Sequence, residues 1–445
     1  MNRHYCRFEA PAYVRWRRHR AKASVDWLDP GRGCLRKPLA YGKILLPRAC
    51  MRVDLAGFPA GSRVGLRARR PVRDVAIFRH NLFKTSEPFI AQQAQCLRRY
   101  RPIYLGRLRF GRPPQGAECV ALQDLAPRWP LPLIGWQMLS RDPRPYQRLL
   151  KDHHPSLIHA HFGIEGVSAL PLRRRLRIPL VTTFHGFDAT LATYALLCSP
   201  AWLHYPLLRH KLAREGDLFL CASSFIRDRV LALGFPEART HTHYIGVDCR
   251  EIQPRDPAEE EPAILHVARL VDVKGTRHLL RAFASLAPRY GGVQLVIIGD
   301  GPLRRSLQAL AEALKVQDRV RFLGALPHAQ VLAWMRKAAM LVLPGVRTAT
   351  GRAEGLGLVL LEAAATGVAV IGSRVGGIPE VVVDGHTGLL VPERDEGALA
   401  ESLAALLDDP ARRHRMGAQG RALAEQRFDI HQQSAALESL YDSLL

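Results

Sequence analysis

Apolar positions in this chain gather into short unbroken runs that alternate with stretches of helical period. The alternation begins at Val75-Ala76-Ile77-Phe78, which predicts a buried strand. Glu87 to Tyr100, with Phe89, Ile90 and Leu97 among its apolar positions, predicts a helix. Leu157 to Phe162 predicts a strand ended by Gly163, and Gly166 to Leu176 a helix. Pro179 to Phe184 predicts a strand that stops at His185-Gly186. Leu218 to Ala222 is a further strand, capped by Ser223-Ser224, with a helix from Phe225 to Leu233 that Gly234 ends. Gln253 to Pro262 is proline-rich and acidic and reads as a linker. Strands then resume at Ala263–Val267, Val293–Ile298, Val320–Leu323, Met340–Leu343 and Val368–Ile371. Helices are expected at Thr276–Leu286, Ala329–Ala338 and about Leu358–Ala365, with more to about Glu425. The fold class is therefore α/β: two Rossmann-like, doubly wound domains, 74–252 and 263–425, facing across a cleft. Neither domain repeats the other in sequence.

Composition narrows the classes. With 47% hydrophobic and 23% charged residues, the chain is ordinary globular protein. No uncharged apolar run approaches a bilayer span, and Met1 to Ala10 has no apolar core of a secretory signal. The eight cysteines, at 6, 34, 50, 96, 119, 198, 221 and 249, form no Cys-x-x-Cys pair. A zinc site or disulfide framework is not expected, and a reducing cytosol fits. Charge is unevenly divided. Residues 1–73 carry 18 Lys/Arg against 4 Asp/Glu, net +14; residues 74–250 are net +11, and residues 251–445 net −1. Residues 1–73 hold no sustained period and read as a disordered basic extension or an over-long reading frame. The basic front half implies an anionic partner: nucleic acid, an anionic membrane surface or a phosphorylated substrate.

Open parallel sheets bind ligands beyond the carboxyl ends of their strands, so residues just after strands are the candidates. Arg269 follows the first strand of the second domain, and Lys274-Gly275 stands at the mouth of the next helix. Two cations there suit an anion, most simply a diphosphate; two solvated surface charges is the other reading. Glu354-Gly355-Leu356-Gly357 precedes a helix that contains Glu362. The glycines let backbone approach a ligand, and a carboxylate in the apolar run Leu358 to Ala365 needs a partner, such as sugar hydroxyls. A capping Glu354 and a solvated Glu362 is the alternative. His159, His161 and His185-Gly186-Phe187-Asp188 lie at strand ends of the first domain. They suit a sugar or phosphate, or are satisfied structural histidines; a complete zinc set is not evident. Gly299-Asp300-Gly301-Pro302 lacks the third glycine of a dinucleotide loop, and no Asp-x-Asp metal signature is present.

From about residue 74 onward the chain resembles the family 4 glycosyltransferases, retaining enzymes of GT-B fold. His185-Gly186-Phe187-Asp188, Tyr244 to Asp248, Val267-Ala268-Arg269-Leu270 with Lys274-Gly275, Gly299 to Pro302, Glu354 with Glu362, Gly376 to Glu380 and Asp384 to Leu390 carry that likeness. Ser86 to Ile90 and His159 to Gly163 look like the bacterial exopolysaccharide branch, including colanic-acid-type transferases. The resemblance implies that Arg269 and Lys274 hold the donor diphosphate, Glu362 the ribose and Glu354 the donor sugar. Backbone amides of Gly355, Leu356 and Gly357 would lie near sugar and phosphate, His185 would touch the donor sugar, and Asp188 would shape that loop. The helix after Phe428 (426–445) would cross back onto the first domain. One departure stands out: the loop Arg79 to Thr85, after the first strand, lacks the glycines usual there.

The expected function is transfer of a sugar, with retention and without metal or cofactor, from a nucleotide sugar, UDP-linked first, to a growing lipid-linked polysaccharide. The expected place is cytoplasmic, peripheral at the inner face of the membrane. The rivals are another GT-B enzyme, an epimerase or phosphorylase, and a basic nucleic-acid-binding protein, for which no motif is present.

Overall fold

In a computed structural model, residues 72–445 are described. The basic extension expected over 1–73 therefore lies outside the described residues except for its last two. Of those, Arg73 opens the first strand, and its N–H donates to the Arg99 carbonyl at 3.1 Å.

The first domain holds seven parallel strands: Arg73–Phe78, Tyr100–Gly106, Glu118–Ala121, Leu157–His161, Leu180–Phe184, Leu218–Cys221 and Thr240–Thr242. Counted along the chain, their order in the sheet is 3-2-1-4-5-6-7. The second domain holds six: Glu261–Val267, Gln294–Ile298, Val320–Gly324, Ala338–Leu343, Ala369–Ser373 and Gly388–Val391, in the order 3-2-1-4-5-6. The same winding is thus built twice from unlike sequences. Strands such as Ala338–Leu343 are buried along their whole length, because helices cover both faces of a parallel sheet. In each sheet the winding reverses beside the first strand, where Ile77 pairs with His159 and Leu265 with Leu341. The crevices that this reversal opens lie just past Phe78 in one domain and Val267 in the other.

Helices Thr276–Leu286 and Leu358–Ala365 stand where the sequence pattern puts them. The helix expected from Glu87 to Tyr100 is shorter, Pro88–Gln95. Its continuation is prevented by the far end of the chain: Glu438 accepts hydrogen bonds from the amides of Arg98 and Arg99 at 2.6 and 2.5 Å, and Tyr100 enters a strand. That strand contains Pro102, which masks a strand pattern in sequence. The short strands Glu118–Ala121 and Gly388–Val391 were not expected either.

The segment read as a linker lies against the second domain. Arg255 donates its N–H to the Thr366 carbonyl at 2.8 Å, and Glu260 pairs with Arg255, Arg413 and, at 3.0 Å, His414. After the helix Pro410–Arg427 the chain returns to the first domain. There Ile430–Asp442 buries Tyr441, whose hydroxyl meets His159 Nδ1 at 2.5 Å. Among the described residues no helix is long and apolar enough to cross a membrane.

Candidate functional site

The carboxyl ends of both sheets face one cleft, about 940 Å³ in volume. On the second domain, Arg269 is exposed at the strand end and Lys274 Nζ donates to Glu354 Oε2 at 2.6 Å. The sequence had assigned these two groups to different parts of a ligand; the structure joins them. Arg352, which the sequence reading missed, lines the same wall. Burial pulls its guanidinium below the ordinary value, with Glu354 opposing and Arg269 adding. Three cations around one carboxylate leave a positive surface suited to a diphosphate. Only the spacing Arg352-x-Glu354 could have pointed to this third cation.

Gly355 lies where the domains touch. A Cβ there would sit 2.1 Å from the His185 carbonyl oxygen, and Ser223 Oγ donates to the Gly355 carbonyl at 2.6 Å. Leu356 beside it is buried. Gly357, at φ +92°, turns the chain into the Leu358–Ala365 helix, whose first-turn amides have no intrahelical partner. The helix start therefore adds partial positive charge to the cations. Glu362, one turn on, is partly buried and meets His328 Nε2 at 3.0 Å. That hydrogen bond raises the His328 imidazole above its ordinary value, with burial opposing. Glu362 thus already has a partner, and its apolar sequence context overstated its need for one.

On the first domain His185 sits between Phe89 and Phe162, with ring centroids 5.0 and 4.7 Å away. Its Nε2 is 3.0 Å from His161 Nδ1, and its Nδ1 makes no hydrogen bond within the protein. Burial pushes the His185 imidazole well down, with His159 and Arg79 adding, so the ring is neutral near pH 7. His161 stacks on both neighbours, 4.3 Å from His159 and 5.2 Å from His185. His159 is a satisfied structural histidine, held by Tyr441 and by Thr183 Oγ1 at 2.6 Å.

Asp188, expected among the donor-side residues as the one that shapes the loop, lies inside it. It is 1% exposed and accepts from the amides of Gly163, Gly186 and His185 at 2.9, 2.9 and 3.3 Å. Burial pushes its carboxyl up to about 6, against those hydrogen bonds. It shapes the loop from inside and does not line the cleft.

The glycine-free loop is anchored by charge. Arg79 holds Glu87 at 2.9 and 3.0 Å, pairs with the buried Glu165 and lies 4.4 Å over the Phe162 ring. Burial would raise the Glu165 carboxyl, but Arg79, His80 and Arg107 outweigh it and hold the group at about 2. Glu380, noted in the sequence only as part of a motif, clamps the domains together. It accepts from the amides of Ser224 and Phe225 at 2.8 and 2.9 Å and from the Tyr244 hydroxyl at 2.9 Å. Among the described residues, Cys96, Asp248 and His431 bring their ligand atoms within 4.8 Å. Burial pushes the Cys96 thiol up to about 11, so it is protonated, and three such groups do not make a zinc set.

The chain matches the family described as "Glycosyl transferases group 1" over residues 249–423 and "Glycosyltransferase Family 4" over residues 90–251. It is 36% identical to a putative colanic acid biosynthesis glycosyltransferase, WcaL, of Escherichia coli over 250 residues, 55% of this chain. That alignment spans 60% of the relative's length. It is 32% identical to a GDP-mannose-dependent α-(1-6)-phosphatidylinositol monomannoside mannosyltransferase of Mycolicibacterium smegmatis, over 66% of this chain and 78% of that one. Among solved structures, HepE of Anabaena with UDP and glucose superposes with a TM-score of 0.67 at 19% identity, covering 84% of this chain and all of that one. The fold is GT-B. The chain belongs to the family 4 glycosyltransferases.

Proposed function

We propose that this protein moves a sugar from a nucleotide sugar to a growing, lipid-linked polysaccharide, with retention, without a metal, at the inner face of the cytoplasmic membrane. The observation that carries the reading is the cationic group Arg269, Lys274 and Arg352 around Glu354, set against a helix start and opposite His185. When the bond between the anomeric carbon and the diphosphate breaks, negative charge collects on the leaving group. Fixed cations and amides stabilise it without reorganising, which is how such sites lower barriers. Glu354, tied to Lys274, would accept from donor-sugar hydroxyls, and Glu362 from ribose hydroxyls. Neutral His185 lines the cleft, and its buried Nδ1 lacks a partner within the protein. Relatives named for GDP-mannose and a fold neighbour solved with UDP make both nucleotides candidates, with UDP-sugars tried first.

The test is a thermal-shift screen of UDP- and GDP-sugars, then turnover in EDTA. A ligand at 100 times its Kd should stabilise the fold by about 2.7 kcal/mol. Turnover should survive chelation; loss in EDTA that magnesium restores would sink the metal-free step. Nucleoside diphosphate released only when acceptor is added separates transfer from epimerisation.

A further inference from the structure

The helix Pro130–Ser140, reading Pro-Leu-Pro-Leu-Ile-Gly-Trp-Gln-Met-Leu-Ser, contains no charged residue. Its inner side is used: Gln137 is fully buried and accepts from Arg107 Nε at 2.8 Å, while Ile134 and Met138 line the cleft. Its outer side is apolar and bare. Leu131 is 71% exposed, Trp136 57% and Leu139 72%, and Trp129, just before the helix, 78%. At 100° per residue, positions 131, 136 and 139 spread over an arc of about 140° on the outer side of the helix. Surface helices of water-facing proteins carry charge on that side. Leu203 and Leu207, beside and in the helix His204–Glu215 of the same domain, are also exposed.

Charge decides what covers this face. Arg128 stands just before the helix and Arg148 in the next one, Arg144–Leu149; both are exposed and neither is in an ion pair among the described residues. The carboxylates beside them are occupied, Asp124 by Arg109 and Asp142 by Arg144. Residues 74–250 as a whole are net +11. Tryptophan and leucine on the outer side of a helix, with unpaired arginines in the flanking segments of a basic domain, is the pattern of a helix lying in the boundary of an anionic bilayer. A second protein copy would bring the same basic domain, net +11 over residues 74–250, against its like.

We propose that Trp129, Leu131, Trp136 and Leu139 form an interfacial anchor that seats the first domain on an anionic lipid bilayer. This places the Ile134–Met138 edge of the cleft at the membrane surface. The inference rests on the reading of a lipid-borne acceptor, but its test needs neither donor nor acceptor, so the two can fail separately.

The full chain is co-sedimented with vesicles of phosphatidylcholine plus phosphatidylglycerol, and with phosphatidylcholine alone. Wild type should bind the anionic vesicles. The double variant Trp136→Glu, Leu139→Glu should lose about tenfold or more of that binding. Both side chains are exposed, so circular dichroism and Tm should not change. Arg128→Ser with Arg148→Ser should also lose about tenfold on anionic vesicles and change little on the neutral ones. Unchanged binding in the glutamate variant, with the fold intact, would assign attachment to another part of the chain and overturn the proposal. So would a concentration-dependent dimer in light scattering that Leu139→Glu abolishes.

Discussion

Lys274 and Glu354 meet at 2.6 Å, so neither acts alone. Arg269→Ala and Lys274→Ala should each cut turnover by about 10²–10³, the usual loss for one charge-stabilising group. Lys274→Ala also leaves Glu354 without its partner. The Lys274/Glu354 double variant should therefore lose less than the product of the singles, as a double-mutant cycle at saturating donor would show. Near-wild-type rates in both singles would return the cations to the solvated surface. Glu362→Gln should weaken donor binding in calorimetry with the fold unchanged. Its partner His328 gives a pH signature. A histidine raised on folding lends stability that is fully present below about pH 6.5 and lost as pH rises through its folded value. His328→Asn should flatten the fall in Tm as pH rises above about 6.5. Asp188 is raised to about 6, so its share of stability also declines as pH rises, between about 4 and 6. Removing it as Asp188→Ala leaves three buried amides unpaired and should cost about 1–3 kcal/mol in urea unfolding. Arg269 was legible because it stands two residues past the strand end at Val267, and Glu354 and Glu362 because a glycine loop and an apolar helix frame them. Glu165 was not read, although it lies in an apolar helix start as Glu362 does; its partner Arg79 is 86 positions away.

At the scale of elements, helices bounded by glycine or built on a clean apolar period were read closely. Leu358–Ala365, set off by Gly357, is the plainest case. Elements whose limits are imposed from a distance were not. The Pro88–Gln95 helix stops early because Glu438, some 340 positions on, takes the amides that would have extended it. The strand after it holds a proline whose place in a sheet only tertiary packing explains. Glu438→Ala should therefore act on the far side of the molecule. It should destabilise by about 1–3 kcal/mol and increase amide exchange around Arg98 and Arg99, since two N–H groups lose a charged acceptor. Unchanged exchange there would mean that Tyr441, Asp442 and Ser434 hold the C-terminal helix on the first domain without Glu438.

Across the whole molecule, the likeness of the two halves was visible as two alternations of strand and helix, but their shared winding order was not. It depends on which strands pair, and Glu118–Ala121 and Gly388–Val391 are four residues each. Deleting residues 1–71, rather than 1–73, keeps the Arg73 amide that pairs with Arg99. Turnover of that truncated chain on a water-soluble acceptor should stay near wild type. Loss of folding would mean that the extension is part of the structure.

The chain passes between its domains twice, once before Glu261 and once after Arg427, and the two passages are tied together. Val247 donates to the Phe428 carbonyl at 2.8 Å, and Ile430 donates to the Val247 carbonyl at 3.0 Å. Two passages fastened at one place act as a pin. Sliding or twisting at this point would break both bonds at once, whereas a swing about it would spare them and break instead the contacts of Glu380 and of Ser223 with Gly355. Displacement then grows with distance from the pin, as along a door. Spectroscopic labels beside Val247 and Asp429 should hold a constant separation with and without donor. Labels across the Glu354–His185 side should trace a single arc.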